Sequence, residues 1–309
     1  MSRSSHGSST PWGSTPCDDS RVMGRRSGTA GDGPAGHGGT RTVRRGMEGT
    51  ATSPERPAGT RYPDAGRGGG NVAGGSAAAP PQLFCLPQAG ASATRYVAWR
   101  RRLAPTARVC PVELPGRGSR WGEVPPDRLS TLVDDLARRI RTELDGPYVL
   151  YGHSFGALLA YELAHALRPL VGEPEALLVS GRNGPSLPHP AMPLHGLPKD
   201  RLLERLRELG GVPDSLERRP EALDPFLPTL RADARLAELY QRGRHAVLTC
   251  PLYVVAGDED PLADPAGLAR WGEETTADCE VTRVRAGHTL FDTGAFHDWL
   301  RRALTPGGD

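Results

Sequence analysis

The feature that most constrains this chain is a five-residue turn, Gly152-His153-Ser154-Phe155-Gly156. It lies between an apolar run, Tyr148 to Tyr151, and a helix-periodic stretch carrying Leu158, Leu159, Leu163 and Leu167. A G-x-S-x-G pattern between a strand and a helix implies a bend so tight that the serine backbone is strained, and small residues two positions to either side avoid a collision. Such a turn exposes the serine hydroxyl at the carboxyl edge of a parallel sheet. The pattern occurs once in the sequence.

The surrounding periodicity supplies that sheet. Leu83 to Leu86 reads as a strand that stops at Pro87-Gln88-Ala89-Gly90, and Tyr96, Trp99, Arg100 and Leu103 follow at helical spacing. A strand near Arg108 to Val112 precedes Leu129, Leu132, Val133, Leu136 and Ile140, an amphipathic helix. Ala176 to Ser180, Leu252 to Ala256 and Cys279 to Val284 give further strands, and Phe296 to Leu304 a closing helix. Strands alternating with helices predict an α/β fold with a mostly parallel central sheet and helices on both faces. The alternation stops between about 185 and 249, where Leu202, Leu203, Leu206, Leu209, Leu227, Leu230, Leu236 and Leu239 predict a helical insertion. An insertion there would lie over the carboxyl edge as a lid.

Composition sets the limits of this domain. Residues 1–80 are rich in Gly, Ser, Thr, Pro and Arg and lack the apolar residues needed to offset ordering entropy, which predicts a disordered tail before a domain at 81–305. Met47 is a candidate alternative start, and the Gly210-Gly211 pair punctuates the insertion. The net charge of +2 reflects the Arg-bearing tail, which has no interleaved aromatics or helical stripe, so no nucleic-acid partner is expected. No run is long and apolar enough for a membrane span or a signal-peptide core, and the expectation is a cytoplasmic protein that makes no use of a membrane. Cys17, Cys85, Cys110, Cys250 and Cys279 are an odd number without paired metal spacing; the three in apolar strand-like runs are expected to be reduced core residues, and neither a metal site nor a catalytic thiol is expected.

A serine hydroxyl needs a base within reach, itself oriented by a carboxylate. On a serine turn of this kind the partners follow in the order acid, then histidine, each after a strand. Gly257-Asp258-Glu259-Asp260-Pro261 follows one predicted strand and Arg285-Ala286-Gly287-His288 the next. His288 alone combines strand-end placement with that order: His165 and His297 fall on helices, His189, His195 and His245 in the insertion, and His153 at the x position of the turn, with a local packing or hydrogen-bonding role. Asp258, Glu259 and Asp260 all lie on that loop and a triad needs only one, so the residues alone leave the carboxylate open, between Asp258 and Asp260 above all. The backbone N–H of Phe155 and one from the Pro87–Gly90 loop, at Ala89, are the expected oxyanion donors.

Several longer stretches carry a resemblance. Leu86-Pro87-Gln88-Ala89-Gly90-Ala91-Ser92 with Tyr96 and Trp99, Glu113-Leu114-Pro115-Gly116-Arg117-Gly118, Tyr151 to Ala157, Arg231-Ala232-Asp233, Gly257 to Pro261, and Gly287-His288 together resemble the type II thioesterases. These are stand-alone editing enzymes of polyketide and nonribosomal peptide synthases within the α/β-hydrolase fold. The resemblance covers about Gln82 to Leu304. Gln88 and Ala91 depart from it, standing where the family often has an aromatic or His and a Gly.

The resemblance implies Ser154, Asp260 and His288 as a triad, Ala89 and Phe155 as the oxyanion hole, and a lid over an acyl chamber. It implies as partner an acyl or peptidyl carrier protein whose phosphopantetheine arm bears the thioester, and it requires no metal or cofactor. A monomer is the expected state. The competing readings are a carboxylesterase of free small esters, a non-catalytic interaction protein of the same fold, and a chain-releasing thioesterase domain.

Overall fold

The computed structural model of the chain describes residues 79–188, 193–210 and 220–305. Most of the expected tail, including Cys17 and Met47, lies outside the described residues, as do His189 and Gly211.

Six strands form one sheet: β1 (Gln82–Leu86), β2 (Arg108–Pro111), β3 (Tyr148–His153), β4 (Ala176–Ser180), β5 (Leu252–Gly257) and β6 (Cys279–Val284). The order is β2-β1-β3-β4-β5-β6, and every neighbouring pair is parallel. Side chains alternate between the faces of each strand, so an apolar run feeds two cores at once. Leu83, Cys85, Tyr151 and Leu178 face Trp99, Phe296, Trp299 and Leu300 on one side. Phe84, Leu86, Leu150, Leu177 and Val254 face Leu132, Leu136, Leu158 and Leu163 on the other. Both faces of the sheet are thus covered by helices, as the alternating pattern predicts.

Among the described residues the helices are α1 (Trp99–Leu103), α2 (Leu129–Glu143), α3 (Phe155–Val171), α4 (Lys199–Glu208), α5 (Leu227–Glu238), α6 (Pro265–Ala269) and α7 (Gly294–Leu304). The helical period read from Tyr96 to Leu103 resolves into a 3-10 turn, Ala93–Tyr96, and the single turn of α1. The described part of the insertion holds α4, a 3-10 turn Pro220–Phe226, and α5. Helix α6 and the 3-10 turn after it, Arg270–Glu274, are absent from the sequence reading because neither is long enough to show a period. Asp264 starts α6 by accepting the Gly267 N–H at 2.9 Å. The four described cysteines are free, Cys85 and Cys250 buried and Cys110 and Cys279 half-buried; burial raises the Cys85 thiol well above its ordinary range.

Helix α3 fills the centre of one core and approaches the sheet closely. A Cβ on Gly156 would fall 2.2 Å from the Leu86 carbonyl oxygen. Further along the same helix, His165 stacks on His245, with ring centroids 4.4 Å apart, and its Nε2 is buried without a partner among the described residues. Burial, then the adjacent His245, pushes His165 down to about 4.

Two outcomes are expected. Gly156→Ala drives a methyl group into fixed backbone and should lower stability by about 1–3 kcal/mol in urea unfolding; an unchanged midpoint would contradict the close approach. The unfolded chain protonates His165 near pH 6.5 and the folded chain near 4, so its contribution is present above about pH 6.5 and is lost as the pH falls toward 4. His165→Phe should therefore flatten the decline in melting temperature across that window, and an unaltered pH profile would show that His165 is not held neutral.

Candidate active site

Strand β3 and helix α3 meet at Ser154, which has φ 55° and ψ −113° and is the one non-glycine residue with positive φ among the described residues. An L-residue adopts this backbone only when its surroundings enforce it. Here the glycines do so: a Cβ on Gly152 would lie 2.0 Å from the Gly156 carbonyl oxygen, and one on Gly156 2.2 Å from the Leu86 carbonyl oxygen, so the turn closes against β1 only with glycine at both positions. The Ser154 N–H bonds the Ser180 carbonyl at 2.8 Å, holding the turn against the end of β4.

His288 and Asp260 are brought together by the ends of β5 and β6. A Cβ on Gly257 would lie 2.1 Å from the Ala286 carbonyl oxygen, so the loop leading to His288 passes directly over the end of β5. Backbone bonds from Asp258 N to Val284 O and from Glu259 N to Ala286 O tie the two loops. His288 Nδ1 then stands 2.9 Å from Asp260 Oδ2, and Oδ1 of the same carboxylate accepts the Leu262 N–H at 2.9 Å. The Asp260 side chain is fully buried, so its charge is met by these donors rather than by water. A donor bond from Nδ1 leaves the Nε2 lone pair free to act as a base.

Asp258 is exposed and its Oδ1 accepts the Ala286 N–H at 3.2 Å. It is Asp260 that meets His288, whereas Asp258 holds the turn. Ser154 Oγ makes no hydrogen bond to the described residues, so this structure closes the acid–histidine link and leaves the serine–histidine link open. Such bonds commonly tighten only when substrate is bound.

The two expected oxyanion donors lie on adjoining backbone. Gly156, in the first turn of α3, packs on Leu86 and Pro87, the residues that lead to Ala89. Phe155 begins α3, where an N–H has no partner within its helix. Among the described residues neither the Ala89 nor the Phe155 N–H is hydrogen bonded, while Ala91 N and Gly90 N, beside them, are.

His153 has a larger place than local packing suggests. Its ring is fully buried, 4.7 Å from the His288 ring and 4.3 Å from Phe291, with Nδ1 2.9 Å from Ser180 Oγ, which in turn lies 2.8 Å from the Tyr151 hydroxyl. Burial first, then the neighbouring His288 and Arg95, hold His153 well below the ordinary histidine range. A neutral ring therefore backs His288, where a second cation would oppose formation of its imidazolium. The x position of the motif carries no sequence signal for this contact.

A cavity of about 510 Å³ lies away from Ser154, Asp260 and His288, lined by residues of α2, α3 and α5 that include Val133, Glu162, His165 and Leu236. Among the described residues no cluster of His, Cys, Asp and Glu has the arrangement of a metal site.

Comparison with known proteins identifies the family. A thioesterase-domain family model matches residues 81–294. The chain is 37% identical to linear gramicidin dehydrogenase LgrE of Brevibacillus parabrevis, over 67% of this chain and 80% of that one. It is 34% identical to thioesterase PikA5 of Streptomyces venezuelae, over 67% and 74% of the two chains. Among solved structures, the type II thioesterase BorB from the borrelidin biosynthetic cluster superposes with a TM-score of 0.68 at 34% identity, covering 74% of this chain and 94% of that one. The name of the first relative refers to a redox reaction, whereas the family match, the other two proteins and a serine on a strained turn beside an Asp–His pair all point to acyl transfer. The chain belongs to the thioesterase family and has the α/β-hydrolase fold.

Proposed function

We propose that the chain hydrolyses acyl thioesters carried on the phosphopantetheine arm of acyl or peptidyl carrier proteins, clearing stalled or aberrant acyl groups from a polyketide or nonribosomal peptide synthase. The observation that carries the reading is the buried Asp260–His288 pair, 2.9 Å apart, at the same sheet edge as the strained Ser154. Ser154 Oγ attacks the thioester carbonyl as His288 Nε2 takes its proton, and Asp260 stabilises the imidazolium. The Ala89 and Phe155 N–H groups receive the oxyanion. The C–S bond breaks, the thiol leaves with the proton from His288, and Ser154 keeps the acyl group as an ester. Water, deprotonated by His288, then attacks that ester, releasing the carboxylic acid and restoring the serine.

The likeness to a type II thioesterase of an antibiotic cluster supports a carrier-bound substrate over a free ester. In this reading residues 81–305 form the catalytic domain, with the insertion at about 185–249 covering the acyl chamber. In this reading the chain acts as a monomer, in the cytoplasm with its carrier partner. No helix among the described residues is long and apolar enough to cross a membrane.

The test is hydrolysis of acetyl-, propionyl- and longer acyl-loaded carrier beside the matching simple esters. Release from the carrier should be faster, and Ser154→Ala should reduce it by about 10⁶-fold. Activity confined to the simple esters would overturn the carrier reading. Asp260→Asn should lower kcat by about 10⁴-fold, as the loss of the orienting carboxylate does in other triads. Asp258→Asn should stay near wild type, and the reverse ranking would move the acid to Asp258.

A further inference from the structure

Two motifs far apart in the sequence meet in the interior. Arg117, from the Pro-Gly-Arg-Gly stretch, and Asp233, in α5, are 3% and 1% exposed and form a bidentate pair, Nη1 to Oδ2 and Nη2 to Oδ1. Arg117 Nε and Nη2 also donate to the Pro115 carbonyl, at 3.2 and 3.1 Å, so the guanidinium is fixed by its own loop. The Asp233 Oδ2 atom takes one bond more: the Gly90 N–H donates to it at 2.8 Å. Gly90 follows Ala89. The carboxylate of a helix outside the sheet thus grips the peptide adjoining an assigned oxyanion donor.

Apolar contact reinforces that grip. Gly90 has φ +73°, and a Cβ there would fall 2.9 Å from Leu230 Cδ1, so α5 lies directly on the turn. The Thr229 hydroxyl donates to the Gly116 carbonyl at 3.3 Å, seating the same helix on the second loop. Gln88, on the other side of Ala89, accepts from Arg95 Nη1, whose guanidinium lies 4.1 Å over the Phe291 ring. Both neighbours of Ala89 are therefore held: the Gln88 side chain by Arg95 and its carbonyl by the Ala91 N–H at 3.1 Å, and the Gly90 N–H by Asp233.

We propose that Arg117 and Asp233 are positioning residues for the reaction: the buried pair aims an Asp233 oxygen at the Gly90 N–H and so fixes the Ala89 N–H at the oxyanion position. The proposal rests on the reading of Ala89 and Phe155 as oxyanion donors. An oxyanion donor works only where it is already aimed, and a shift of about 1 Å in a reacting group's surroundings can cost about 10²-fold in rate. Helix α5 is in this way a wall on which the oxyanion loop rests.

A single substitution leaves a buried charge unpaired and risks unfolding, so the test uses two double variants that both remove the ion pair. Arg117→Met with Asp233→Asn keeps a side-chain oxygen for the Gly90 N–H, and Arg117→Met with Asp233→Leu does not. With both folded by near-UV circular dichroism, the Leu double should lose about 10²-fold in kcat with KM little changed, and the Asn double should recover most of that loss. Equal kcat in the two doubles, or a change confined to KM, would overturn the proposal. Amide exchange of Gly90 in the wild-type protein requires neither substrate nor substitution. It should be slowed to the level of the β1 amides, and exchange at the rate of an open loop would contradict the clamp whether or not turnover on a carrier is found.

Discussion

The approach of helix α3 to the ends of β1 and β3 is the constraint on which the site depends. Backbone meets backbone there: a single methyl group on Gly152 or Gly156 would lie about 2 Å from a carbonyl oxygen. The chain must therefore reverse from strand to helix within a few residues, and Ser154 takes the strained backbone that results. Three consequences follow from that contact. The hydroxyl stands clear of the sheet, the Phe155 N–H is left at a helix start without an internal partner, and the Ala89 loop lies next to it because it continues the strand on which Gly156 rests.

The remaining groups arrive by the rule of parallel sheets, in which every crossover returns to the same edge and loops from separated parts of the chain gather there. The loops after β1, β3, β5 and β6 supply, in turn, Ala89, Ser154, Asp260 and His288. The end of β4 adds Ser180, which fixes both the Ser154 N–H and His153. The site is rigid where charge must be stabilised, since Asp260 and Asp233 are each buried and each accept more than one hydrogen bond. Ser154, by contrast, is half-buried, and its Oγ has no hydrogen-bond partner among the described residues.

Much of this was legible in the sequence because the relevant constraints are local. Strands buried on both faces leave continuous apolar runs, as in Leu83–Leu86 and Ala176–Ser180, and the elbow leaves two glycines at fixed spacing. Chain order then singled out His288. Asp258 and Asp260 were not separable from the residues alone, because two carboxylates on one loop differ only in burial and direction, which the crossing of Gly257 by Ala286 decides. The clamp was less visible still. The resemblance marks the stretches that hold Arg117 and Asp233, but the two are 116 positions apart and nothing in the sequence pairs or buries them. His153 stayed hidden for a related reason, since its partner ring on His288 comes from the far end of the chain.

The central claim, that Ser154 is a nucleophile activated by His288 under the direction of Asp260, is tested most directly by a serine-directed fluorophosphonate followed by peptide mass mapping. Wild-type protein should carry one adduct, on the peptide containing Ser154, formed far faster than in His288→Ala or Asp260→Asn and absent in Ser154→Ala. Labelling at another residue, or labelling of Ser154 at the same rate in the His288 variant, would contradict the account.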